Sequence, residues 1–399
     1  MTDPFHDLPG PVGGSDAGGG EELSPVEEAC DVGRLVNVHP ADLKHRWTRA
    51  LPCSTTLSLS RPRSQYLIRQ HWRVTDSIVG VVEDQRPSIE LLSPAPGVSY
   101  SFIQPSSPPP DGALDVDALF IWNVRSRFLR DNWSGLHRLR WVHAATAGVE
   151  WVLFPELVDS DVVVTNSRFI FDRALAEYVI GMMLVLSKDF QTTFVHHVEH
   201  RWEQREGDTL DGKVVVVVGV GPIARRTAQL AKAFGMVVRG IGRTARSGDP
   251  DFGDIASAAS LHALFAEADY VVMVLPNTPL TAGLVDAAAL AALKPTAVLV
   301  NVGRAATLDQ GALVSALREG RLAAAALDVV TPEPLPPDNP LWDVPNLMIS
   351  PHMSGDFRGW RSKIVELFER NLESWLRGAP LMNVVDKHLG YAPGSPGGE

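Results

Sequence analysis

Five consecutive valines, residues 214–218, run directly into a glycine-rich turn and then into a helical segment. The turn has the form Gly219-x-Gly221-x-x-Ala224. In a strand–turn–helix unit of this kind, the first glycine permits a tight turn and the second lets the backbone approach a pyrophosphate. The small third residue allows the helix to pack closely on the strand. The spacing therefore predicts a dinucleotide-binding site.

The residues that follow the turn indicate which dinucleotide is bound. The helix starts at Pro222, so the amides from Ile223 onward are predicted to face the phosphates, although Pro222 itself has no N–H to donate. The second strand ends in Gly-Arg243-Thr244-Ala-Arg246, without the acid that would bind a ribose 2′-hydroxyl. The two arginines are either solvated surface side chains or ligands of a 2′-phosphate. We predict that the protein prefers NADP(H) and can also use NAD(H).

Apolar runs alternate with helical segments along most of the chain. Such runs, many of them rich in β-branched residues, recur between residues 77 and 165 and again between residues 214 and 349. Near-continuous apolar strands separated by helices are typical of parallel sheets that are covered on both faces. The pattern predicts an α/β protein with two Rossmann-like, doubly wound parallel-sheet domains and a cleft between them.

The predicted domains are not contiguous in sequence. Residues 74–168 and 356–393 are predicted to form a substrate domain, because the C-terminal helical segment is expected to return to the first sheet. Residues 169–355 are predicted to form the NAD(P)-binding domain. Residues 1–73 are predicted to be a disordered extension, since their early part is acidic and rich in glycine and proline. Alternatively, they come from an upstream reading frame and the natural chain starts at Val74.

Charge and cysteine content exclude several classes of protein. The net charge of −11 argues against nucleic acid as the main partner, because phosphate binding needs clustered basic charge. The only two cysteines, Cys30 and Cys53, cannot build a disulfide framework, which fits a reducing compartment. No apolar stretch is long enough to span a bilayer, and no secretory signal precedes the folded part. We expect a cytoplasmic protein without a membrane or nucleic-acid partner.

Three side chains near the ends of successive predicted strands carry the chemistry. Arg304, Glu333 and His352 supply a cation, a carboxylate and an imidazole. Reduction of a 2-keto acid needs a proton donor, and an imidazole titrates near neutrality. A carboxylate bonded to it favours the imidazolium, and a guanidinium fork matches a substrate carboxylate. Each residue alone is commonly structural, but parallel sheets place ligands at strand carboxyl ends, where all three are expected.

Five short motifs occur along the chain: Gly219-x-Gly221-x-x-Ala224, Leu275-Pro-Asn-Thr-Pro-Leu-Thr281, Asn301-Val-Gly-Arg304, Leu327-Asp-Val with Glu333-Pro-Leu-Pro, and Ser350-Pro-His352. In these motifs, about residues 76–392 resemble the D-isomer-specific 2-hydroxyacid dehydrogenase family. The missing acid after the second strand makes the chain most similar to the glyoxylate and hydroxypyruvate reductases.

The resemblance implies a role for each matching residue. His352 would be the acid–base residue and Glu333 its partner, while Arg304 would bind the substrate and polarise its carbonyl. It further implies a homodimer. The residues whose backbone would hold the substrate carboxylate are Ala147, Gly148 and Val149. Further cofactor contacts are expected at Pro276, Thr278, Val302 and Asp328, of which Asp328 would meet the nicotinamide carboxamide.

The sequence therefore predicts an NAD(P)-dependent oxidoreductase acting on CH–OH groups. It would transfer a hydride between NAD(P)H and a small 2-keto acid such as glyoxylate or hydroxypyruvate. Two alternatives stay open: a D-3-phosphoglycerate dehydrogenase, although no phosphate-binding cluster is evident, and a non-catalytic, NAD(H)-sensing corepressor-like protein. His196, His197 and His200 have a spacing that can bind a metal, but no third ligand or general base accompanies them, so no metal site is predicted.

Overall fold

The computed structural model describes residues 77–84, 89–106 and 108–392. The expectations for residues 1–73, including the alternative start at Val74, lie outside these residues. The described residues form two sheets flanked by helices. The predicted α/β fold with two Rossmann-like parallel-sheet domains is confirmed, whereas the residue boundaries of those domains stay a prediction.

The first sheet contains five parallel strands in the order β2-β1-β3-β4-β5. Its central strands are buried on both faces, as their uninterrupted apolar sequences require. Two short helices cover the connections, α1 at Phe128–Asp131 and α2 at Pro155–Val158. The strands are β1 Ser77–Val82, β2 Val98–Ile103, β3 Ala118–Ile121, β4 Trp141–Ala144 and β5 Val163–Asn166.

The second sheet contains eight strands in the order β13-β12-β11-β10-β6-β7-β9-β8. All neighbouring strands are parallel except the edge pair β8–β9, which is an antiparallel hairpin. Its strands are β6 Val214–Val218, β7 Val237–Gly242, β8 Arg246–Asp249, β9 Gly253–Ser257, β10 Tyr270–Met273, β11 Val298–Asn301, β12 Ala324–Leu327 and β13 Leu347–Ile349.

Helices cover both sheets. The helices that follow α2 are α3 Asp172–Ser187, α4 Phe190–Val198, α5 Pro222–Ala233, α6 Leu261–Glu267, α7 Ala287–Ala291, α8 Gln310–Arg318 and α9 Trp360–Leu376. Helices α3 and α5 share a buried cluster with β6, whereas α9 returns to the first sheet, where Phe368 stacks on Phe120 and Trp141. Every helix in the described part of the chain is too short or too polar to cross a bilayer.

The chain passes between the two sheets twice, and the two crossings touch. The first crossing joins β5 to α3 and contains Phe171, whereas the second joins β13 to α9 and ends at Trp360. The rings of Phe171 and Trp360 lie 6.1 Å apart, and Trp360 stacks on Trp122 at 5.7 Å. Contact between the crossings brings the carboxyl ends of strands from both sheets to one region, where the predicted catalytic residues lie.

Candidate active site

His352 and Glu333 are in direct contact. His352 follows β13 and Glu333 follows β12, so neighbouring strands of the second sheet deliver both side chains. Nδ1 of His352 lies 3.0 Å from Oε2 of Glu333, and Oε1 of Glu333 accepts the N–H of Val330 at 3.1 Å. His352 has a left-handed backbone, with φ of 54°, a conformation that is uncommon for residues other than glycine.

Glu333 stays ionised far below neutrality. Partial burial opposes its ionisation, but the hydrogen bond and charge of His352 act against that effect, together with the Val330 amide and Arg125. The balance lowers the pKa of Glu333 from 4.5 to about 2. Because an ionised carboxylate can only accept hydrogen bonds, Nδ1 of His352 must carry the proton between them. Nε2 is then the nitrogen left to face a substrate.

Arg125 is a member of this site that the sequence reasoning missed. It follows β3 of the first sheet, and its Nη2 donates to Oε2 of Glu333 at 2.5 Å. The same nitrogen lies 3.4 Å from Nδ1 of His352, a contact between two donors. Glu333 therefore links the imidazole to a guanidinium from the other sheet. A charged residue just after a parallel strand was visible in the sequence, but its partner in the other domain was not.

Asp328, at the end of β12, holds the loop that carries His352. It is 2% exposed, and its Oδ1 accepts from the Ser350 hydroxyl at 2.6 Å and the Met353 amide at 2.9 Å. Its Oδ2 accepts from the Ser354 amide at 2.9 Å and from the Ser354 hydroxyl. Tyr178 of α3 adds a contact between its hydroxyl and that of Ser350. All four hydrogen bonds that Asp328, the predicted carboxamide partner, accepts therefore come from the loop after β13.

Arg304 follows β11 and reaches across to the first sheet. Its Nε donates to Glu150, which the sequence reasoning also missed, and its Nη1 donates to the Gly303 carbonyl at 2.8 Å. The backbone of Gly148 lies so close that a Cβ there would overlap Nη2 of Arg304. The structure therefore brings Arg304 together with the predicted substrate loop.

The predicted substrate loop offers unused backbone donors. The Thr146 hydroxyl donates to the Gly148 carbonyl at 2.6 Å, and Nδ2 of Asn166 donates to the Ala147 carbonyl at 2.5 Å, which fixes the direction of the carbonyls. The amides of Ala147, Gly148 and Val149 donate no hydrogen bond to any described residue. Three adjacent free amides beside a guanidinium are suited to a carboxylate.

The dinucleotide turn has the geometry that its sequence requires. Gly219 has φ of 112°, and a Cβ there would lie 2.7 Å from the Val274 carbonyl oxygen, so only glycine fits. Gly221 precedes α5, which begins at Pro222. The first amides of a helix, here those of Ile223 and its successors, lack carbonyl partners within the helix and can face phosphate. These residues fit a dinucleotide pyrophosphate.

The two arginines after β7 have different surroundings. Arg246 is held by Asp249 at 3.2 Å, and the same carboxylate accepts two hydrogen bonds from Arg225 of α5, at 2.7 and 2.8 Å. The Arg225 guanidinium holds the pKa of Asp249 well below its usual range, even though burial raises it. Arg243 and its neighbour Thr244 are exposed, and neither side chain has a hydrogen-bond or ion-pair partner among the described residues. Of the two arginines after β7, Arg243 is therefore the one whose guanidinium is available to bind a ligand.

The remaining predicted cofactor residues also lie at the carboxyl edge of the second sheet. Pro276 and Thr278 follow β10, and the Thr278 amide donates to the Thr281 hydroxyl at 2.9 Å. Val302 follows β11 and is buried, with its amide bonded to the Met273 carbonyl at 3.1 Å. Strands β10 and β11 are the first and second neighbours of β6 on one side of the sheet. The predicted cofactor residues therefore lie along the same carboxyl edge as Gly219, on one side of it.

A cavity of about 450 Å³ adjoins this site on the side of the first sheet. Arg125 and Glu150 belong both to its lining and to the contacts described above. Arg127 and Arg130 add two further guanidinium groups, of which Arg127 pairs with Asp131. Trp151 and Phe154 form aromatic walls, with Arg125 lying over Trp151 and Arg130 over Phe154. The cavity is thus lined by three arginines and one carboxylate, together with apolar side chains.

The histidine group of α4 has different partners. His196 is buried, and its ring nitrogens contact the guanidinium groups of Arg201 and Arg205. Across the described residues, no group of three His, Cys, Asp or Glu side chains is arranged to hold a metal ion.

Comparison with known proteins gives consistent matches. The sequence profile of the D-isomer specific 2-hydroxyacid dehydrogenase NAD binding domain matches residues 180–354. A glyoxylate reductase of Aeropyrum pernix is 33% identical over 288 residues, which are 69% of this chain and 85% of that protein.

Two solved structures are similar over almost their whole length. A D-isomer specific 2-hydroxyacid dehydrogenase family protein of Aeromonas salmonicida has a TM-score of 0.68 and 29% identity, covering 78% of this chain and 100% of that chain. An NADPH-dependent glyoxylate/hydroxypyruvate reductase of Sinorhizobium meliloti, in complex with NADP and sulfate, has a TM-score of 0.67 and 26% identity, covering 79% and 100%.

Proposed function

Because the chain belongs to the D-isomer specific 2-hydroxyacid dehydrogenase family, whose members are NAD(P)-dependent oxidoreductases of CH–OH groups, we propose that it reduces a small 2-keto acid such as glyoxylate or hydroxypyruvate. The observation that carries the proposal is the 3.0 Å contact between His352 and an ionised Glu333, whose partner Arg125 lines the same cavity as Glu150 beside the predicted substrate loop. Such a site joins a proton donor to an anion-binding surface.

Residues of this chain donate the proton and orient the keto acid. A bound NADPH would supply the hydride that reaches the keto carbon. In its imidazolium form His352 carries a proton on each ring nitrogen: Nδ1–H is directed to Glu333, and Nε2–H gives its proton to the oxygen that becomes an alcohol. The carbonyl thus gains one hydride and one proton. Glu333 compensates the imidazolium charge before this transfer.

Arg304 and the substrate loop fix the position of the keto acid. The amides of Ala147, Gly148 and Val149 hold the substrate carboxylate, and the free Nη2 of Arg304 lies beside them. From that position the guanidinium also polarises the adjacent carbonyl oxygen, on which negative charge develops. Arg304 therefore acts in both substrate binding and catalysis.

A substrate screen with a paired variant tests the proposal. Oxidation of NADPH would be followed with glyoxylate, hydroxypyruvate, pyruvate and phenylpyruvate. His352→Ala is expected to lower kcat by two to four orders of magnitude, roughly the size of a general acid–base contribution, with KM little changed. His262→Ala, on the exposed face of α6, is the matched control. No turnover with any of these acids would favour the binding-protein alternative instead.

We propose a preference for NADP(H), carried mainly by Arg243. Arg246 is already paired with Asp249, whereas Arg243 is exposed and uncommitted, so it can bind a 2′-phosphate without losing another partner. A charge-assisted contact of about 1.5–3 kcal/mol corresponds to roughly a 10- to 100-fold change in binding. Arg243→Ala should raise the KM for NADPH by that factor and leave the KM for NADH unchanged, with Arg318→Ala as the control. A tenfold preference of the wild-type protein for NADH would contradict the proposal.

The arginine-lined cavity favours a second candidate, a D-3-phosphoglycerate dehydrogenase. The sequence shows no contiguous phosphate cluster, yet Arg125, Arg127 and Arg130 line one cavity beside the candidate site. Guanidinium groups bind phosphate through paired donors. If the substrate carries a phosphate, phosphohydroxypyruvate should have a higher kcat/KM than hydroxypyruvate, and Arg130→Ala should remove the difference. Equal kcat/KM values would favour the small-acid reductase.

We propose that the protein forms a homodimer and acts in the cytoplasm. The exposed surface of α4 and the following segment carries large apolar side chains, among them Phe194, Val198 and the fully exposed Trp202. An apolar patch of this kind on a folded chain commonly marks an interface. The cysteine content supports a reducing compartment.

A further inference from the structure

We propose that Glu150 is a positioning residue that orients Arg304 toward the substrate carboxylate. This inference rests on the proposed function, because it assigns Arg304 to substrate binding. Glu150 follows the substrate loop directly, being two residues after Gly148, whereas Arg304 comes from the second sheet. The contact between them is therefore also a contact between the two sheets.

The donors of Arg304 are divided between protein and substrate. A guanidinium has five N–H groups in a fixed plane. Nε–H is directed to Oε1 of Glu150, and one N–H of Nη1 is directed to the Gly303 carbonyl at 2.8 Å. Three N–H groups remain, two of them on Nη2, which lies against Gly148. With Nε and Nη1 fixed, the plane of the guanidinium is fixed, and Nη2 points at the loop with the free amides.

Arg304 and Glu150 are both partly buried, which reduces the screening of their ion pair by solvent. Their side chains are 27% exposed for Arg304 and 22% exposed for Glu150, so the pair is screened less than one on an open surface. Glu150 also lies against the substrate loop, because a Cβ at Gly148 would lie 2.6 Å from Oε2 of Glu150. A side chain at position 148 would therefore displace both Glu150 and Arg304.

A different role for Glu150 makes the opposite prediction. Glu150 could occupy Arg304 as a competitor of the substrate carboxylate, in which case its removal would lower KM. The geometry favours positioning, because Glu150 uses Nε and leaves Nη2 free beside the loop. A competing carboxylate would be expected on the Nη atoms that the substrate itself needs.

Steady-state kinetics of five variants separate the two roles. Glu150→Ala should raise the KM for the keto acid at least tenfold and lower kcat less, with the KM for NADPH and the Tm unchanged. Glu150→Gln keeps an oxygen that accepts from Nε, so it should restore most of the wild-type KM. Glu156→Ala, exposed on nearby α2, is the matched control. In an Arg304→Ala background, Glu150→Ala should have no further effect on KM, since its target is gone.

Three results would overturn the inference: a lower KM in Glu150→Ala, no rescue by Glu150→Gln, or a full additional effect in the Arg304→Ala background. Binding of oxamate to the NADPH-loaded protein is measured in parallel. If the wild type turns over no keto acid but binds oxamate, and Glu150→Ala weakens that binding tenfold, the proposed function fails and the positioning role stands. If the wild type does not bind oxamate either, both fail.

Discussion

Hydrogen bonds and charges of neighbouring groups keep the carboxylate of Glu333 ionised although it is partly buried. Its pKa is lowered to about 2, against 4.5 for an unperturbed glutamate, so folding favours its ionised form. The stabilisation is complete above pH 4.5, where the unfolded chain is also ionised, and is lost as the pH falls toward 2. Glu333→Gln should therefore be less stable than the wild type at pH 5.5, and the difference should shrink toward pH 3.

Urea denaturation of both proteins between pH 3 and pH 5.5 would measure this difference. A stability difference that is the same at pH 3 and pH 5.5 would contradict the lowered pKa. Glu267→Gln, which removes an exposed carboxylate at the end of α6 that has no ion-pair partner among the described residues, is the control and should show little change.

The loop after β13 is an element held mainly by one carboxylate. Asp328 accepts hydrogen bonds from two amides and two hydroxyls of residues 350–354, and His352 is part of that loop. Asp328→Asn replaces one acceptor oxygen with a donor, which would leave a buried N–H facing another donor. The cost of one unsatisfied buried group is about 1–3 kcal/mol. We expect a loss of stability of that size and at least a tenfold fall in kcat.

Urea denaturation and kcat measured on the same preparations would test this prediction, with Asp338→Asn as the exposed control. If Asp328 acts only on the nicotinamide carboxamide, the variant should raise the KM for NADPH while stability stays unchanged. That outcome would rule out the loop-holding role.

Local patterns predicted most elements of the fold, because a buried parallel strand needs an uninterrupted apolar run. Strands β6, β10 and β11 lie within the predicted runs. The hairpin β8–β9 was not predicted, since Arg246–Asp249 is polar and reads as a loop. Its place depends on Arg225 binding Asp249, a contact between side chains 24 residues apart.

In the candidate site, too, local sequence patterns predicted some residues, whereas residues placed by long-range contacts were missed. His352, Glu333 and Arg304 could be found from motifs because each follows a strand of one sheet. Arg125 and Glu150 could not, because their partners lie on the other sheet, 208 and 154 residues away along the chain. Local spacing carries no information about how two domains face each other.

At the scale of the whole molecule, one buried histidine links stability to pH. His143 is completely buried on β4, and burial lowers its pKa from 6.5 to about 3. Its Nδ1 lies 2.7 Å from the Thr165 hydroxyl, and Phe368 of α9 packs beside the ring. Between pH 6.5 and 3 the unfolded chain binds a proton that the folded protein does not, so stability falls as the pH falls, by up to about 1.4 kcal/mol per pH unit.

Chemical denaturation at pH values from 4 to 7.5 would show this slope. His143→Gln keeps a hydrogen-bonding group but cannot titrate, so it should be less stable at pH 7.5 and have a shallower slope below pH 6.5. The same slope in both proteins would show that other groups cause the acid sensitivity.

At the scale of the whole molecule, the proposed homodimer is tested most directly by substitutions in and after α4. Phe194 and Val198 are on one helix and Trp202 follows shortly after it, and all three are among the most exposed large apolar side chains described. A specific dimer buries about 1,200–2,000 Å² in total, which needs a patch of this kind to be covered.

Light scattering of the wild type should give twice the chain mass of 43.3 kDa, and Phe194→Ser combined with Trp202→Ser should give the mass of one chain. Phe234→Ser, at an exposed position after α5, should leave the dimer intact. Because the substituted residues are not in the candidate site, a monomer that keeps its kcat would show that each chain carries a complete site, and a wild type that is monomeric at micromolar concentration would contradict the dimer.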